Sequence, residues 1–414
     1  MTRRDLLSLG AGVTLAGCAR ARGPRQLTMW AMGTLGENLP PLLVPFQRAT
    51  GITVDLQSIA WTGAHEKLLT GFAGDSLPDV MMVSIYWLSE LALLGAFAPL
   101  PPRYPLLVDQ FPGSLAAVTL GARAVAVPWI ADSWAQFFRR DLLAEVGHDA
   151  PPLDWAGWSA MARAIRRRHP DRHATFHPLD WPEPLFNLAA EQPDPLLRDR
   201  NARGNFSTPG FRAALAFYKS IYDEGWSPAI TYGEAGDPYL NFQRGWYAIL
   251  PSNAITIGDL RRRTDLIPPA MWGATRTPGP RGAGAAMARG AGLTVGHRAR
   301  DTDAAWRLVA YLTGAALQRR IYGVTGDLPT RPSAWTEAEL ASDPVAGVFA
   351  RQIAASVAQP AVPEWERIQT EVQQVAEHMV RGEYGVAAAT REMDRRVDRI
   401  LEKRRWLLDR GRAI

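Results

Sequence analysis

The sequence is unusually rich in tryptophan, with 15 among 414 residues. A tryptophan ring offers a flat apolar face beside a single polar N–H group, so it suits ligands that combine apolar faces with polar edges. A sugar ring is such a ligand, because its C–H-rich faces stack on aromatic rings while Asp, Glu, Asn or Arg side chains bind its hydroxyl groups. The aromatic content therefore indicates binding chemistry, with carbohydrate as the best-suited ligand.

Catalytic motifs are missing from the sequence. There is no G-x-S-x-G, H-E-x-x-H, Walker A or C-x-x-C motif. His173 and His177 are four residues apart and could bind a metal ion on a helix. Pro170 and Pro178 oppose a continuous helix there, so we expect a solvated loop. No metal or other cofactor is predicted, and an exported carbohydrate-active enzyme, whose paired carboxylates spacing alone does not reveal, remains the alternative from another class.

Strand and helix patterns alternate at the start of the folded chain. Residues 26–32 and 52–58 predict strands, and residues 37–50 and 64–73 predict helices. Residues 77–83 form a continuous apolar run of the kind that is buried on both faces of a parallel sheet. This order predicts a doubly wound α/β sheet, whose ligands lie beyond the carboxyl ends of the strands.

Four tryptophans are predicted at or just after strand ends, where the cleft of such a fold lies: Trp30, Trp61, Trp87 and Trp129. Trp306 instead lies on the apolar stripe of a helix predicted over residues 303–321, and is expected in the core. Further strands are predicted at residues 247–250 and 293–295, and residues 124–132 are predicted to be a strand that runs into a loop. Further helices are predicted at residues 158–168, 209–224 and 241–245, and the C-terminal part is predicted to be helical throughout.

The N-terminal residues 1–18 have the order of an export signal: two arginines, a short apolar run, and a small-residue site that ends in Cys18. Leu15-Ala16-Gly17-Cys18 resembles a lipobox, in which the cysteine is acylated, and Arg3-Arg4 allows a twin-arginine signal. Cys18 is the only cysteine, so no disulfide is expected. These features predict a lipid-anchored protein of the periplasm or cell envelope, held by a tether of residues 19–25. Nucleic acid is not expected as a partner, because the net charge is only +5 and the arginines are dispersed.

Several stretches, taken in order, resemble the family 1 extracellular solute-binding proteins, the maltose-binding-protein-like receptors of bacterial ABC importers. They are Leu77-Pro78-Asp79-Val80, Gly95-Ala96-Phe97-Ala98-Pro99-Leu100, Val127-Pro128-Trp129 through Arg140-Asp141-Leu142, Pro151-Pro152-Leu153-Asp154-Trp155, Phe242-Gln243-Arg244-Gly245, Ala304-Ala305-Trp306 through Tyr311-Leu312-Thr313-Gly314, and Gly326-Asp327-Leu328-Pro329-Thr330-Arg331. The resemblance covers nearly all of the chain after Arg25.

This resemblance implies an α/β, two-lobed periplasmic-binding-protein fold of type II, with the ligand in the cleft between the lobes. Lobe I would comprise residues 26–131 and 293–329, and lobe II residues 132–292 and 330–414. The implied function is a monomeric receptor, not an enzyme, that captures a carbohydrate by lobe closure and delivers it to the transmembrane subunits of an ABC permease with its ATPase.

By position in the family, the cleft residues would be Trp30, Glu37, Trp61, Ser84, Tyr86, Trp87, Trp129, Asp132, Trp181, Asn253, Arg289, Gly290 and Trp365. Asn253 lies where related receptors carry a tryptophan, which departs from the maltodextrin pattern. An anionic sugar or polyol phosphate, clamped by Arg289 and Arg331, is the alternative ligand. A sugar sensor that does not transport is a further alternative.

Overall fold

The computed structural model describes residues 25–102, 104–336 and 338–411. The predicted export signal with Cys18, and all of the predicted tether except Arg25, lie outside the described residues. No helix in the described ranges combines the length and apolar character that a bilayer crossing requires.

Sheet I has six strands in the order β14-β6-β13-β3-β1-β2. The strands are β1 (Arg25–Met32), β2 (Ile52–Ile59), β3 (Val80–Ser84), β6 (Val127–Asp132), β13 (Arg289–Val295) and β14 (Leu328–Pro329). Strands β1, β2, β3 and β6 run in one direction, and β13 and β14 run against them. The carboxyl ends of four strands and the amino end of β13 therefore share one edge of the sheet.

Sheet II has four strands in the order β12-β7-β11-β8. They are β7 (Ala135–Arg139), β8 (His173–Thr175), β11 (Tyr247–Ser252) and β12 (Trp272–Thr275). Only Ser133 and Trp134 separate β6 from β7, so the chain passes directly from one sheet to the other. Two small hairpins complete the strands: β4 (Thr119–Leu120) with β5 (Arg123–Ala124), and β9 (Leu197–Arg198) with β10 (Arg203–Gly204).

Nineteen helices flank the sheets in the described ranges. Those of the first half are α1 (Gly33–Asn38), α2 (Pro40–Thr50), α3 (Trp61–Ala73), α4 (Leu88–Leu94), α5 (Pro112–Ala117), α6 (Arg140–Ala144), α7 (Trp155–Arg168), α8 (Glu183–Leu188) and α9 (Pro209–Asp223). Those of the second half are α10 (Tyr232–Ala235), α11 (Pro238–Gln243), α12 (Ile255–Arg262), α13 (Thr302–Leu312), α14 (Ala315–Thr325), α15 (Ala338–Ala341), α16 (Pro344–Ala354), α17 (Trp365–Val380), α18 (Val386–Ile400) and α19 (Glu402–Asp409). Turns of 3₁₀ helix lie at Pro105–Leu107, Pro269–Met271 and Pro332–Trp335.

The apolar runs of the sequence form the cores of this arrangement. All five residues of β3 are buried, as expected for a strand in the middle of a covered sheet. Trp306 is 7% exposed and packs in the core around sheet I, which confirms its predicted role. The C-terminal helices α17 and α18 pack on α9 and share a second core with sheet II residues such as Phe138 and Ile249.

Two predicted elements are wrong in detail. The helix predicted over residues 303–321 is two helices, because the chain turns at Thr313 and Gly314 between α13 and α14. The strand predicted over residues 124–132 is also divided, into β5 and β6. Between α13 and α14 the apolar pattern continues through the turn, because both helices pack against the same core.

Candidate ligand-binding site

The edges of the two sheets meet at Asp132, the last residue of β6. Its Oδ1 atom accepts hydrogen bonds from the backbone N–H of Ser133, at 2.9 Å, and of Ala254, at 3.2 Å. Ala254 lies two residues beyond the carboxyl end of β11, and Asn253, a predicted site residue, lies between them. The carboxyl ends of strands from both sheets therefore converge here, which is where ligands of open α/β sheets bind.

Arg289 connects Asp132 at this meeting point to two other parts of the chain, the turn after β3 and the start of α8. Its Nε donates to Asp132 Oδ2 at 3.3 Å, and its Nη1 donates to Glu183 Oε1 at 2.5 Å and to the hydroxyl of Tyr86 at 3.1 Å. Its guanidinium carbon is 5.7 Å from the centre of the Tyr86 ring. Glu183 begins α8, which packs with the sheet II core, so Arg289 joins a strand of sheet I to a helix of the other half. We call these four residues the Arg289 cluster.

Burial sets the electrostatics of the Arg289 cluster. Loss of water raises the pKa of Tyr86 to about 12, against the opposing effect of Arg289. Loss of water also raises the pKa of Asp132, although Arg289 and two backbone N–H groups favour its carboxylate form. Burial alone would lower the pKa of Arg289, but Tyr86, Glu183 and Asp132 raise it well above its usual range. The guanidinium thus stays charged, and two carboxylates already surround it.

The most accessible predicted aromatic residue is Trp61, whose side chain is 41% exposed. It begins α3 at the carboxyl end of β2, and its ring centre is 5.9 Å from that of Trp87. Gly33, at φ +58°, lies beneath the indole: a Cβ atom there would be only 2.7 Å from the indole nitrogen. Trp61 therefore offers an open ring face at the shared edge of sheet I.

His65 lies beside these rings and faces carboxylates on two sides. Its ring stacks on Trp87 with centres 5.1 Å apart and 13° between the planes. Nε2 lies 2.7 Å from Glu90 Oε2, and Nδ1 lies 3.7 Å from Glu366 Oε2. Glu366 is in the first turn of α17, so His65 forms a second polar link between the sheet I half and the C-terminal helices.

A second aromatic group lies after β8. Trp181 stacks on Tyr232 with ring centres 4.5 Å apart and 14° between the planes, and meets Trp134 edge to face at 5.9 Å. Trp134 belongs to the two-residue connection between the sheets. Asn253 is partly buried, and its carbonyl accepts the N–H of Thr256. These rings place apolar faces on the sheet II side of the meeting point.

Asp327 adds a third carboxyl group near the Arg289 cluster. It follows α14, and its Oδ2 accepts a hydrogen bond of 2.8 Å from the hydroxyl of Thr325. Burial raises its pKa to about 6, and the neighbouring charge of Asp132 adds to the shift. Carboxylates held in this way accept hydrogen bonds from hydroxyl groups, the donors that a sugar offers.

Other predicted site residues occupy the same edge without an open ring. Ser84 ends β3, and its hydroxyl accepts the N–H of Tyr86 at 3.4 Å. Glu37 is exposed on α1. Gly290 follows Arg289 with φ +131°, where a Cβ atom would lie 2.1 Å from the carbonyl oxygen of Ile130. Only glycine fits at that position.

Three predicted stacking tryptophans are used by the fold instead. Trp30 is inside β1, with the Lys67 amino group 4.9 Å from its ring centre, under α3. Trp129 is inside β6, fully buried, and donates to the Leu312 carbonyl at 3.0 Å. The placement of these two at strand ends is wrong, because both strands continue beyond them. Trp365 is 1% exposed and its N–H donates to Gln359.

Trp365 therefore has little room to receive a ligand in this structure. The cavity beside it, which Tyr86 and Gln359 also line, is about 20 Å³. That volume holds about one water molecule and no sugar ring. Trp87 is likewise 8% exposed and is covered by His65 and Trp61.

Several residues at this meeting point were missed from the sequence. They are His65, Trp134, Glu183, Tyr232, Asp327, Gln359 and Glu366. Glu183 lies two residues after Trp181, and Glu366 follows Trp365 directly, so extending each predicted aromatic position to its neighbours would have included both. His65 and Tyr232 carried no distinguishing pattern.

The two arginines proposed as an anion clamp have different sets of partners. Arg289 is surrounded by Asp132 and Glu183. Arg331 is buried, donates through Nε to the Thr313 carbonyl at 2.7 Å, and lies 3.5 Å from Asp109. Each guanidinium already has carboxylate partners, which disfavours a phosphate or sulfate ligand at these positions.

The described residues contain no group of three or more His, Cys, Asp or Glu side chains placed to hold a metal ion. His173 lies at the start of β8 and His177 follows that strand, so the two are not on one helix. Burial lowers the pKa of His177 to about 3, which keeps that imidazole neutral.

Comparison with known proteins identifies the family. Residues 42–347 match the model of the bacterial extracellular solute-binding proteins. The sugar-binding protein MalE of Xanthomonas citri is 38% identical, with a TM-score of 0.89, over 93% of this chain and 99% of its own. A protein of Deinococcus radiodurans named "Probable ABC transporter-binding protein" is 24% identical over 75% of this chain and 77% of its own.

A more distant structure shows the fold alone. The cyclic α-maltosyl-1,6-maltose binding protein of Arthrobacter globiformis is 21% identical, with a TM-score of 0.79, over 92% of this chain and all of its own. The predicted α/β, two-lobed fold is thus confirmed. The predicted function as a solute-binding receptor is confirmed as well. The chain belongs to the bacterial extracellular solute-binding protein family.

Proposed function

We propose that this receptor captures a neutral carbohydrate between its two lobes and delivers it to an ABC permease. The observation that carries the proposal is the open face of Trp61 at the shared edge of sheet I, the edge at which β6 ends in the partly buried carboxylate of Asp132. The 38% identity with a sugar-binding protein over nearly the whole chain supports the same ligand class.

In this proposal lobe I holds sheet I except for Arg25, Asp132 and the first four residues of β13, and lobe II holds sheet II with the C-terminal helices. The division keeps the ranges expected from the sequence, residues 26–131 with 293–329 and residues 132–292 with 330–414. A sugar that contacts both lobes favours the closed arrangement, because it gains its full set of contacts only there. The closed lobes then present the surface that the permease recognises.

The ligand is proposed to be uncharged because the site is rich in acid. Asp132 and Glu183 pair with the single guanidinium of Arg289, and Asp327 lies close enough to Asp132 for its pKa to be raised by that charge. A phosphorylated ligand would add further negative charge beside these carboxylates and would be repelled. Hydroxyl groups instead donate hydrogen bonds to carboxylate oxygens.

The remaining parts of the proposal concern the cellular setting. The receptor works as a monomer, is anchored to the cell envelope by lipid on Cys18, and meets the permease's transmembrane subunits and ATPase there. No catalytic step is proposed, since the site is assigned to reversible capture.

A sugar-binding experiment tests the proposal. Thermal unfolding of the full-length protein is measured with mono-, di- and oligosaccharides and with phosphorylated polyols. A bound ligand at a hundred times its dissociation constant adds about 2.7 kcal/mol to the free energy of unfolding, which raises the midpoint by several degrees. A neutral sugar should produce this shift, and the phosphorylated compounds should not.

A pair of tryptophan variants then tests the site. Trp61→Ala should weaken binding of that sugar by roughly 5- to 150-fold, taking about 1–3 kcal/mol for one aromatic stack. Trp406→Ala is the matched control, since Trp406 is similarly exposed, at 47%, on α19. Equal affinity of the two variants for the sugar in calorimetry would exclude Trp61 from the site. A screen in which only anionic compounds bind would overturn the neutral ligand class.

A further inference from the structure

The outer face of the last two helices carries a continuous row of basic residues that ends in an exposed tryptophan. Helix α18 ends at Ile400 and α19 begins at Glu402, with Leu401 between them in a near-helical conformation. The exposed residues of the row are Arg391, Arg395, Arg399, Lys403, Trp406 and Arg410. Their spacing of three or four residues places them on one side of the helix pair. We call them the basic stripe.

The opposite side of the same helices is buried. Four apolar residues on that side are fully buried and pack in the core of the sheet II half: Ala389, Met393, Val397 and Leu401. The basic stripe is therefore turned away from the protein by the same helical period that buries these residues. Its direction is fixed by the core.

Most acidic residues of the helices are already engaged. Glu392 binds Arg395 and Arg396, and these guanidinium partners hold the pKa of its carboxyl group at about 2. Asp394 accepts the backbone N–H groups of Phe206 and Ser207. Asp398 accepts the N–H of Gly204 and pairs with Arg203.

The β9–β10 hairpin extends the positive surface beside the stripe. Asp398 accepts the Gly204 N–H at 2.9 Å and lies 3.2 Å from Arg203, which fixes the hairpin against α18. Arg200 is exposed at the hairpin tip. Glu402 and Asp409 flank the stripe with negative charge. Residues 197–204 and 386–411 together carry eleven basic and six acidic side chains, an excess equal to the net charge of +5 of the whole chain.

Trp406 supplies an apolar component at the end of the stripe. Its side chain is 47% exposed, and the guanidinium carbon of Arg410 lies 3.9 Å from its ring centre. Tryptophan beside arginine is typical of the membrane–water interface, where the ring enters the headgroup region and the cation meets lipid phosphate.

We propose that the basic stripe binds the surface of a bilayer that contains anionic phospholipids. The cations would lie against lipid phosphates, and the Trp406 ring would enter the headgroup region. A straight helix of this length, Arg391 to Arg410, spans roughly 30 Å and can lie flat on a bilayer. Such contact would orient the receptor on the membrane face through its C-terminal helices, independently of any lipid attached at the N-terminus and of the ligand that it carries.

Vesicle flotation tests this inference. The full-length chain carries Cys18→Ser, so that no lipid is attached at the predicted position, and is mixed with vesicles of phosphatidylcholine alone or with 30% phosphatidylglycerol, at about 50 and 300 mM salt. We expect phosphatidylglycerol to increase the bound fraction at low salt, and the increase to disappear at high salt. Comparing the two lipids isolates the charge-dependent part from any apolar binding of the N-terminal residues.

Two triple variants with equal charge change complete the test. Arg391→Gln, Arg399→Gln and Lys403→Gln together should reduce the phosphatidylglycerol-dependent partition on the order of a hundredfold. Arg48→Gln, Arg307→Gln and Arg320→Gln remove the same charge from exposed positions in the sheet I half and should leave it within twofold. Thermal unfolding of both triple variants is measured to check that they are folded. The proposal would be overturned if both triple variants lost the phosphatidylglycerol-dependent partition equally. It would also be overturned if the protein with an intact basic stripe bound equally to vesicles with and without phosphatidylglycerol.

Discussion

Replacing Arg289 should destabilise the protein because it leaves two carboxylates without their partner. Arg289→Met removes the guanidinium and keeps most of the apolar stem. Asp132 and Glu183 would then lose bonds of 3.3 and 2.5 Å, and the Tyr86 hydroxyl would lose one of 3.1 Å. The side chains of Arg289, Asp132 and Glu183 are only 21%, 19% and 23% exposed, so water replaces these bonds poorly.

The expected loss follows from this burial. Breaking a buried ion pair by removing one partner costs about 3–5 kcal/mol. Because about a fifth of each side chain still reaches water, we expect the lower end, about 3 kcal/mol in the free energy of unfolding at pH 7.5. The loss should shrink as the pH falls, since burial has already raised the pKa of Asp132 and removal of Arg289 raises it further. Protonation through that raised pKa removes the unpaired charge.

Urea unfolding at pH 7.5 and pH 5 measures both effects. The control is Arg163→Met, which breaks a two-bond contact with Glu224 at 3.2 and 3.3 Å whose side chains are 47% and 41% exposed. An exposed pair of this kind contributes at most about 1 kcal/mol. An Arg289→Met loss no larger than that of Arg163→Met, or one that grows towards pH 5, would refute the reasoning.

Three further predictions concern single residues. Asp327→Asn should raise the free energy of unfolding by about 2–3 kcal/mol at pH 7.5 and change it little at pH 4, as measured by urea unfolding at both pH values. The reason is that the folded pKa of Asp327, about 6, makes its ionisation destabilise the fold as the pH rises from about 4 to 6. Trp129→Phe should lower the free energy of unfolding by about 2–3 kcal/mol, since the Leu312 carbonyl loses its donor and a cavity forms. Sugar affinity in calorimetry should stay within twofold, and a larger drop would show that Trp129 belongs to the site. Gly33→Ala should lower sugar affinity at least fivefold by displacing Trp61, while its positive φ costs stability by only about 1–2 kcal/mol; a variant that binds sugar normally would show that Trp61 need not lie over this glycine.

The strands and their shared edge were predictable because their signals are local. The buried run of β3 and the alternation in β2 each lie within one element, and Trp61 does follow β2 as expected. These signals locate the carboxyl ends of β2 and β3, whereas Asp132 and Arg289 were expected at the same edge only from the family resemblance.

The direction of each aromatic ring was not predictable in the same way. Trp30 and Trp129 lie near the ends of their strands in sequence, but each strand continues and its pleat turns the ring to a helix or the core. The partners in the Arg289 cluster are also distant in sequence, with Glu183 lying 106 residues from Arg289. Such contacts depend on how the two halves are joined, which no local period encodes.

The position of β13 in sheet I has a consequence for how the chain acquires its structure. This strand lies between β3 and β6, yet it is synthesised more than 150 residues after β6. Until it arrives, β3 keeps one unpaired edge and β6 has no partner strand, because its other neighbour, β14, comes later still. The apolar residues of β3 remain open to pairing with other chains. Closing this gap is a long-range step that slows folding, and it falls after sheet II has been completed in sequence. A chain that ends before Arg289 would therefore be prone to aggregation or degradation.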